Sequence, residues 1–342
     1  MLSINFGSVK DMCKIYCHGG LIGEIQLKGV AGWIQKRVDK YFSEEILNYA
    51  ANNDNRIRLI ALKELLNTEE IMEIISCEPG QLLNHSQKYE DYSDLQISYP
   101  TLKGKVKEES VLSLIFNYTA FREYKATIFN GFTLAEQLNI ECCPYCNRNY
   151  TTTHYSYYTT SDGIPAEKRV YPEFDHFYCQ ADHPLLAVSF YNLVPSCTIC
   201  NTHYKSNRNS SGLYHPYTLF SAESFKFKGF PKDVSSLYGA GTEISIGFEY
   251  NCSDAIKDQL INSHAFFGIK DIYDKCHGDL IKDIIYKKLA FGKRYMQELT
   301  KTYGTSFEDS YRIVFETYFE EENLHLRPFS KLKKDIFEDD GL

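Results

Sequence analysis

EFDHFYCQADHPLLAVSFYNLVPSCTICN, residues 173–201, ends in a Cys-x-x-Cys motif, and a second such motif, CPYC, lies upstream at 143–146. The two-residue gap lets both sulfurs of a motif turn toward one ion, and four thiolates close a tetrahedral shell around Zn²⁺. A closed shell has no open position for a substrate, so the predicted zinc is structural. Its predicted ligands are Cys143, Cys146, Cys197 and Cys200. Cys142 is an alternative to Cys143, although it would widen the gap to three residues.

Composition limits the class of protein. The chain has 342 residues, 43% of them apolar, which is enough for two or three structural units with real cores. Its N-terminus lacks the features of a secretory signal, and no stretch approaches about 18 uninterrupted apolar residues. We therefore expect a soluble, cytoplasmic protein that does not enter a membrane. Disulfides are rare in that compartment, which favours metal binding by the paired cysteines. Core thiols are the expectation for Cys13, Cys17, Cys77, Cys252 and Cys276.

The charge is acidic and uneven. A net charge of −8 argues against a protein coated with phosphate-binding cations. Residues 140–232 hold eight Lys or Arg and seven Asp or Glu, so the excess negative charge lies in the rest of the chain. An acidic body around a near-neutral centre would bind free nucleic acid weakly, and we expect a partner to supply affinity or control.

Hydrophobic periodicity predicts helices in the first part of the chain. Helical spacing runs over 31–77, with Thr68 as a predicted cap. The polar segment 78–110 carries Gly and Pro without a sustained period, and we interpret it as a linker. A helix is predicted over 111–129, and Thr133 with Glu136 predicts a capping box for the next helix.

The remaining chain predicts an α+β centre and a helical tail. Short β-prone runs rich in Tyr and Thr fill about 143–250, and helical spacing returns after 255, where Ser306 is a predicted N-cap. The predicted fold class is therefore α+β. The predicted regions are a helical N-terminal region of unknown role at 1–110, a zinc-bracketed core at 111–250, and a helical C-terminal region at 251–342.

The two cysteine motifs enclose Asp175, His176 and Asn192, and Asn201 directly follows the second motif. These residue types suit metal-assisted hydrolysis. Asp175 can hold a hard cation, and the adjacent His176, which faces another direction, can take a proton from water. Asn192 can bond to loop backbone, and Asn201 can give an amide oxygen to the same cation. An Asp-His pair alone is more often structural, but the ordered set of four favours catalysis.

The segments CPYCNRNY, DHF, PLLAVSFYNLVPSC and CTICNTHYK together resemble an HNH endonuclease with a zinc-bracketed ββα-metal core. With HPY at 215–217 and RPFSKLKKDI at 327–336, the chain most resembles the HNH subunit of Septu-type anti-phage systems, which also occurs beside some retrons. The resemblance covers about 115–336 and leaves the first 110 residues unexplained.

The resemblance implies a metal-dependent endonuclease of antiviral defence that cleaves phosphodiester bonds of nucleic acid. The sequence leaves DNA and RNA both open as substrates and favours DNA. The resemblance implies that His176 is the general base, that Asp175 and Asn201 bind a catalytic Mg²⁺ or Mn²⁺ ion, and that Asn192 orients the loop and His176. It also implies a co-encoded ATPase partner. The alternative is a zinc-stapled module that binds nucleic acid or a partner without cleavage.

Residues near the motif are open to two interpretations. Lys205 is either a phosphate contact or a solvated surface lysine. His203 is a weaker candidate for a third ligand, because residues two apart on a helix face different directions. Cys179 departs from the DHFYP pattern of the family without removing a needed group. The second Asp-His pair, Asp182-His183, lies off the motif spacing, so a loop or phosphate-contact role is expected.

Overall fold

The computed structural model describes residues 2–4, 9–22, 25–47, 53–100, 105–123, 129–218, 221–231, 233, 235 and 244–339. Within these residues the protein is a mixed α+β structure, which confirms the predicted class. Its helices are α1 (Val9–His18), α2 (Val30–Tyr41), α3 (Glu44–Leu47), α4 (Asn53–Leu65), α5 (Thr68–Ser76), α6 (Leu82–Lys88), α7 (Val111–Ile115), α8 (Tyr118–Glu123), α9 (Gly131–Leu138), the π-helical α10 (Ile199–Lys205), α11 (Asp254–Phe266), α12 (Ile269–Cys276), α13 (Gly278–Ala290), α14 (Lys293–Tyr303), α15 (Phe307–Phe315) and α16 (Ser330–Glu338).

The described strands pair as two-stranded antiparallel sheets and do not join into a larger one. The pairs are β1 (Gly19–Ile22) with β2 (Ile25–Lys28), β3 (Gln96–Pro100) with β4 (Val106–Ser110), β5 (His154–Thr159) with β6 (Pro165–Val170), β7 (Glu173–His176) with β8 (Leu193–Ser196), and β9 (Phe225–Pro231) with β10 (Ile244–Tyr250).

The β7–β8 pair and α10 position the residues of interest. Asp175 pairs with Val194 and His176 with Leu193, and α10 packs against β7. Because side chains alternate along a strand, Glu173 and Asp175 share one face of β7 and His176 lies on the other. Two antiparallel strands followed by a helix therefore carry the Asp-His pair.

One hydrophobic core runs through the described parts of all three predicted regions. It includes Trp33 from the first region, Phe190 from the second, and Ile272 and Leu332 from the third, all buried. The division of the chain into regions at about residues 110 and 250 stays a prediction. The described parts of the three regions share this core. A smaller cluster of Met296, Tyr311 and Phe315 lies near the C-terminus.

The N-terminal helices are bonded directly to the segment that joins β7 to β8. The hydroxyl of Tyr16 in α1 donates to the carbonyl of Val188 at 2.7 Å. The hydroxyl of Ser189 in turn donates to the carbonyl of Ile74 in α5 at 2.8 Å. Both bonds are buried, so the first region of the chain helps to fix the loop between the two central strands.

The linker predicted at 78–110 is wrong for the described residues of that segment. They form α6, β3 and β4, together with short 3₁₀ turns. The side chains of Leu82, Tyr89, Leu95 and Ile97 are buried in the main core. A few apolar residues at irregular spacing anchor this polar segment, and such spacing escapes a search for a regular period.

Two helix starts differ from the prediction by one residue or one turn. Asn67, not Thr68, caps α5, because its side chain accepts a hydrogen bond from the Glu70 amide. The capping box of α9 joins Asn130 to Thr133 and not Thr133 to Glu136. In both cases an asparagine with extended backbone occupies the N-cap, where asparagine is among the most favourable residues.

The predicted helix over 111–129 is interrupted. It breaks into α7 and α8, and Oδ1 of Asn117 accepts a 2.7 Å bond from the Ala120 amide to start the second helix. Residues 124–128 of that prediction lie outside the described residues. The helices predicted after 255 are confirmed, and Ser306 caps α15 as expected. None of the described helices has the length and apolar character needed to cross a membrane.

Candidate functional site

The two Cys-x-x-Cys motifs meet in the structure. Four buried sulfur atoms lie within 4.8 Å of one another, and those of Cys146 and Cys197 are 4.0 Å apart. Tetrahedral Zn²⁺ with Zn–S bonds near 2.3 Å would separate its sulfurs by about 3.8 Å, so the spacing suits such an ion. The group consists of Cys143, Cys146, Cys197 and Cys200 and excludes the alternative ligand Cys142. The predicted set of thiols is therefore confirmed as a cluster that could hold a metal ion such as zinc.

The cluster favours a thiolate at Cys197. Hydrogen bonds from the neighbouring thiols, of which Cys143 contributes most, lower the pKa of Cys197. The side-chain amide of Asn149 adds a bond to the same sulfur at 3.3 Å. Burial raises the pKa of Cys143. Because metals bind the thiolate, the polarised sulfur of Cys197 is suited to be a ligand.

Asn147 joins the first cysteine motif to the C-terminal helix. Its backbone has φ of +48°, and its carbonyl accepts a 2.6 Å bond from the amide of Phe329. Its Oδ1 accepts a 3.0 Å bond from the amide of Lys331, in the first turn of α16. The hydroxyl of Tyr273 donates to the carbonyl of Cys146 at 2.7 Å. The late RPFSKLKKDI segment thus supports the cysteine cluster.

Asp175 is buried and both its oxygens are engaged. Oδ2 accepts a 2.6 Å bond from the hydroxyl of Tyr145, which lies between the cysteines of the first motif. Oδ1 lies 3.1 Å from Nζ of Lys205, and the two side chains are only 2% and 1% exposed. Burial raises the pKa of Asp175, while Lys205 and the tyrosine bond oppose the rise. Asp175 is thus held in a desolvated ion pair.

His176 is held as one tautomer. Its Nε2 lies 2.9 Å from the carbonyl of Ala187, and since a carbonyl can only accept, Nε2 carries the hydrogen. Burial lowers the pKa of His176 to about 4. The ring is therefore neutral near pH 7, and Nδ1 keeps its lone pair. Tyr118 packs edge-on against the imidazole, with ring centroids 4.4 Å apart.

Asn192 bonds to the loop that contains Ala187, the residue whose carbonyl accepts from His176. Its Oδ1 accepts from the amide of Tyr178 at 2.8 Å, and its Nδ2 donates to the carbonyls of Tyr178 and Leu186 at 3.1 and 3.0 Å. Leu186 directly precedes Ala187. Asn192 is completely buried, and its contacts are those expected of a residue that orients the loop.

Asn201 bonds to a carboxylate that the sequence interpretation passed over. Its Nδ2 donates to Oε2 of Glu173 at 2.9 Å, and the hydroxyl of Thr198 donates to Oε1 at 3.0 Å. Its Oδ1 accepts no hydrogen bond from the residues that the structure describes. Asn201 therefore faces Glu173, whereas Asp175 bonds to Tyr145 and Lys205.

A cavity of about 470 Å³ brings most of these groups to one place. Asp175, His176 and Asn201 line it, whereas Asn192 does not. Its wall also includes Tyr118, Arg122, Tyr171, Glu173 and Cys179. Within the described residues, only the four-cysteine cluster joins three or more His, Cys, Asp or Glu side chains at metal-ligand spacing.

The residues near the motif have different surroundings. Lys205 is neither of the predicted alternatives, because it is buried and donates to the carbonyl of His176 at 2.6 Å in addition to its ion pair. His203 is exposed and does not line the described cavity. His183 bonds through Nδ1 to the hydroxyl of Ser86 at 2.7 Å, which ties this loop to α6.

Sequence reasoning missed three groups at the cavity: Glu173, Tyr118 and Arg122. Glu173 had a usable signal, since residues two apart on a strand share a face and Glu173 precedes Asp175 by two. Tyr118 and Arg122 come from α8, more than fifty residues before the Asp-His pair, and no local spacing connects them to it. Comparisons with protein-family models, with curated proteins and with solved structures find no match to this chain, so its assignment rests on the resemblance and on the geometry of this site.

Proposed function

We propose that this chain is a metal-dependent endonuclease that hydrolyses nucleic-acid phosphodiester bonds at the cavity. The observation that carries the proposal is the tautomer of His176, whose Nε2 donates to Ala187 and whose Nδ1 is left as a proton acceptor. The ring belongs to a wall that also presents Asp175 and Asn201. A buried neutral histidine beside oxygen ligands has the chemistry that hydrolysis by an activated water needs.

The reaction we propose uses His176 as the general base. A water loses its proton to Nδ1 as its oxygen bonds to phosphorus, and the departing ester oxygen takes a proton from solvent. The Ala187 carbonyl accepts from Nε2 throughout, so the ring keeps its orientation as it becomes charged. Asn192 holds the loop that carries this carbonyl.

A divalent ion such as Mg²⁺ or Mn²⁺ would supply charge neutralisation at the phosphate and a lower pKa for its water. Such ions prefer oxygen ligands and keep open positions. Oδ1 of Asn201 and the carboxylate of Glu173 are suitable donors in the cavity wall. Asp175 already contacts Lys205 at 3.1 Å and Tyr145 at 2.6 Å, so it would join them through a remaining lone pair or in exchange for the Lys205 contact.

We also propose that the enzyme acts in antiviral defence with a co-encoded ATPase, on DNA in preference to RNA. The support is the resemblance to Septu-type subunits and the net charge of −8, which disfavours tight binding of free nucleic acid by the chain alone. A nuclease inside a cell needs restraint, and a partner that supplies affinity also supplies that restraint.

Plasmid DNA and RNA should be offered to the full chain with Mg²⁺ or Mn²⁺, with and without its genomic neighbour. We expect metal-dependent cleavage that chelation stops. His176→Ala should abolish it and keep the metal content of wild type, while the unfolding transition moves to lower temperature because a buried ring and its bond to Ala187 are lost. Exposed His203→Ala is the matched control and should cut normally. Unimpaired cleavage by His176→Ala would remove this histidine from the mechanism.

A zinc-stapled binding module is the second candidate, and the Asp175–Lys205 ion pair favours it. This pair occupies Asp175, the carboxylate that the resemblance implies as a ligand of the catalytic ion. A binding module would retain oligonucleotide or partner affinity after His176→Ala and would cut nothing in any metal or with any partner. The same cleavage assay therefore separates the two functions.

A further inference from the structure

A bound phosphodiester brings negative charge that a divalent ion neutralises only in part, and Lys205, the predicted side-chain contact for the rest, is not available. Lys205 is 1% exposed and neutralised by Asp175. Moving its ammonium to a phosphate would leave Asp175 as a buried, poorly paired charge, which is costly. A side-chain cation that meets the substrate beside the divalent ion must therefore come from elsewhere on the cavity wall.

Arg122 is the one lining side chain with a permanent positive charge among the described residues of this cavity. It lies in the last turn of α8, and its side chain is 49% exposed. The carboxylate nearest to it in the described structure is that of Glu123, 3.8 Å from Nη2, which is too long for a hydrogen bond. Its guanidinium is therefore open to an anion.

The stem of Arg122 is held in place by a close approach of α9. A β-carbon at Gly131, the first residue of α9, would lie 3.3 Å from Cγ of Arg122 and 3.4 Å from Cε2 of Tyr171. Tyr171 also lines the cavity. Glycine at this position lets the arginine stem and the tyrosine ring pack together at the rim.

We propose that Arg122 binds a non-bridging oxygen of the substrate phosphodiester at this cavity. This proposal deepens the proposed nuclease function and rests on it. A guanidinium offers paired donors that match a phosphate, and its permanent charge does not depend on pH. Helix α8 thus supplies two side chains to the cavity. Tyr118 packs on His176, the proposed general base, and Arg122 receives the substrate phosphate.

The test is binding of a fluorescein-labelled DNA duplex and of the corresponding single strand, at several salt concentrations, to full-length His176→Ala protein in Mg²⁺. Arg122→Gln in this background should weaken binding about tenfold or more. For the duplex, the negative slope of log affinity against log salt should become shallower by about 1. Arg122→Lys should keep the slope and recover part of the affinity. Exposed Arg294→Gln, on α14, is the matched control and should change neither.

The outcomes separate this proposal from the function beneath it. An unchanged salt slope and affinity in Arg122→Gln overturn the phosphate contact, whatever the cleavage assay shows. A His176→Ala parent that binds no oligonucleotide, alone or with the genomic neighbour, overturns it as well. Wild-type cleavage that survives His176→Ala instead overturns the catalytic assignment, and the binding data then stand alone.

Discussion

The hydroxyl of Tyr145 donates a 2.6 Å hydrogen bond to Oδ2 of Asp175, so the first cysteine motif bonds directly to the strand that carries the Asp-His pair. Tyr145 stacks on Phe267, the C-cap residue directly after α11, with ring centroids 4.3 Å apart. A single side chain thus connects the sulfur cluster, the central strand and the C-terminal helices. Loss of the cysteine cluster should therefore disturb the hydrogen bond from Tyr145 to Asp175.

Removal of this hydroxyl should destabilise the fold. Tyr145→Phe leaves the buried Asp175 carboxylate with one fewer donor, at an expected cost of about 1–3 kcal/mol in the free energy of unfolding. Urea denaturation checks the value, and Tyr303→Phe, at an exposed tyrosine of α14, is the control. A variant as stable as wild type would show that solvent replaces the lost donor.

The four-cysteine cluster should contain about one zinc per chain. Cys197→Ser removes the sulfur with the lowered pKa, and we expect the metal to be lost and the melting temperature to fall, because metal binding is coupled to folding. Elemental analysis and thermal denaturation measure both effects. Exposed Cys276→Ser should retain the zinc, and a stable zinc-free wild-type protein would contradict the assignment.

Asn147 should tolerate glycine better than alanine. Both substitutions delete the bond to the amide of Lys331, so both should be less stable than wild type. At φ of +48° alanine also carries the steric cost of the left-handed region, about 1 kcal/mol, which glycine avoids. Chemical denaturation of the two variants gives the order, and alanine equal to glycine would remove backbone strain from the explanation.

The stability of the fold should decline in acid through His215. Burial lowers the pKa of His215 to about 3, below the 6.5 expected of an unfolded chain. Its neutral form is therefore favoured by folding, and the contribution is complete above about pH 6.5 and is lost as the pH falls toward 3. The slope attributable to one histidine is at most about 1.4 kcal/mol per pH unit.

Urea titrations of wild type and of His215→Phe at pH 7.5 and 5.0 isolate the contribution of His215. Protonation of the cysteine thiolates destabilises both proteins equally and therefore cancels in the comparison. His215→Phe keeps an aromatic ring against Phe177, whose centroid lies 4.1 Å from the imidazole. The variant should lose less stability than wild type between the two pH values. Parallel losses in both proteins would assign the acid sensitivity to other groups.

The cysteine cluster was predictable because its information is local. Each motif brings two sulfur atoms together at short range. Only one long-range contact, between the two motifs, then had to be correct for the four sulfur atoms to meet. The α+β class and most of the helices in 31–77 followed from periodicity in the same way. Asn192 also bonds through its side-chain amide to the loop backbone, as predicted, while its role in orienting His176 stays a prediction.

The surroundings of the charged residues were not predictable, because burial of a charge depends on a partner distant in sequence. Lys205 reads as a surface residue until Asp175, thirty positions away, is known to lie against it. Arg122 and Tyr118 depend on how α8 docks, which no local pattern encodes. The apolar anchors in 78–110 are likewise recognisable only once their neighbours are known.

The bonds from Tyr16 to Val188 and from Ser189 to Ile74 limit how this Asp-His motif can be transferred between genes. They lie one and two residues after Ala187, the carbonyl that sets the tautomer of His176. A gene fragment that begins near codon 111 would encode every motif residue and yet lack the helices that fix this loop. Recombination that transfers the motif alone would therefore produce a protein whose His176 loop lacks its supports, and successful shuffling must carry the first hundred codons with it.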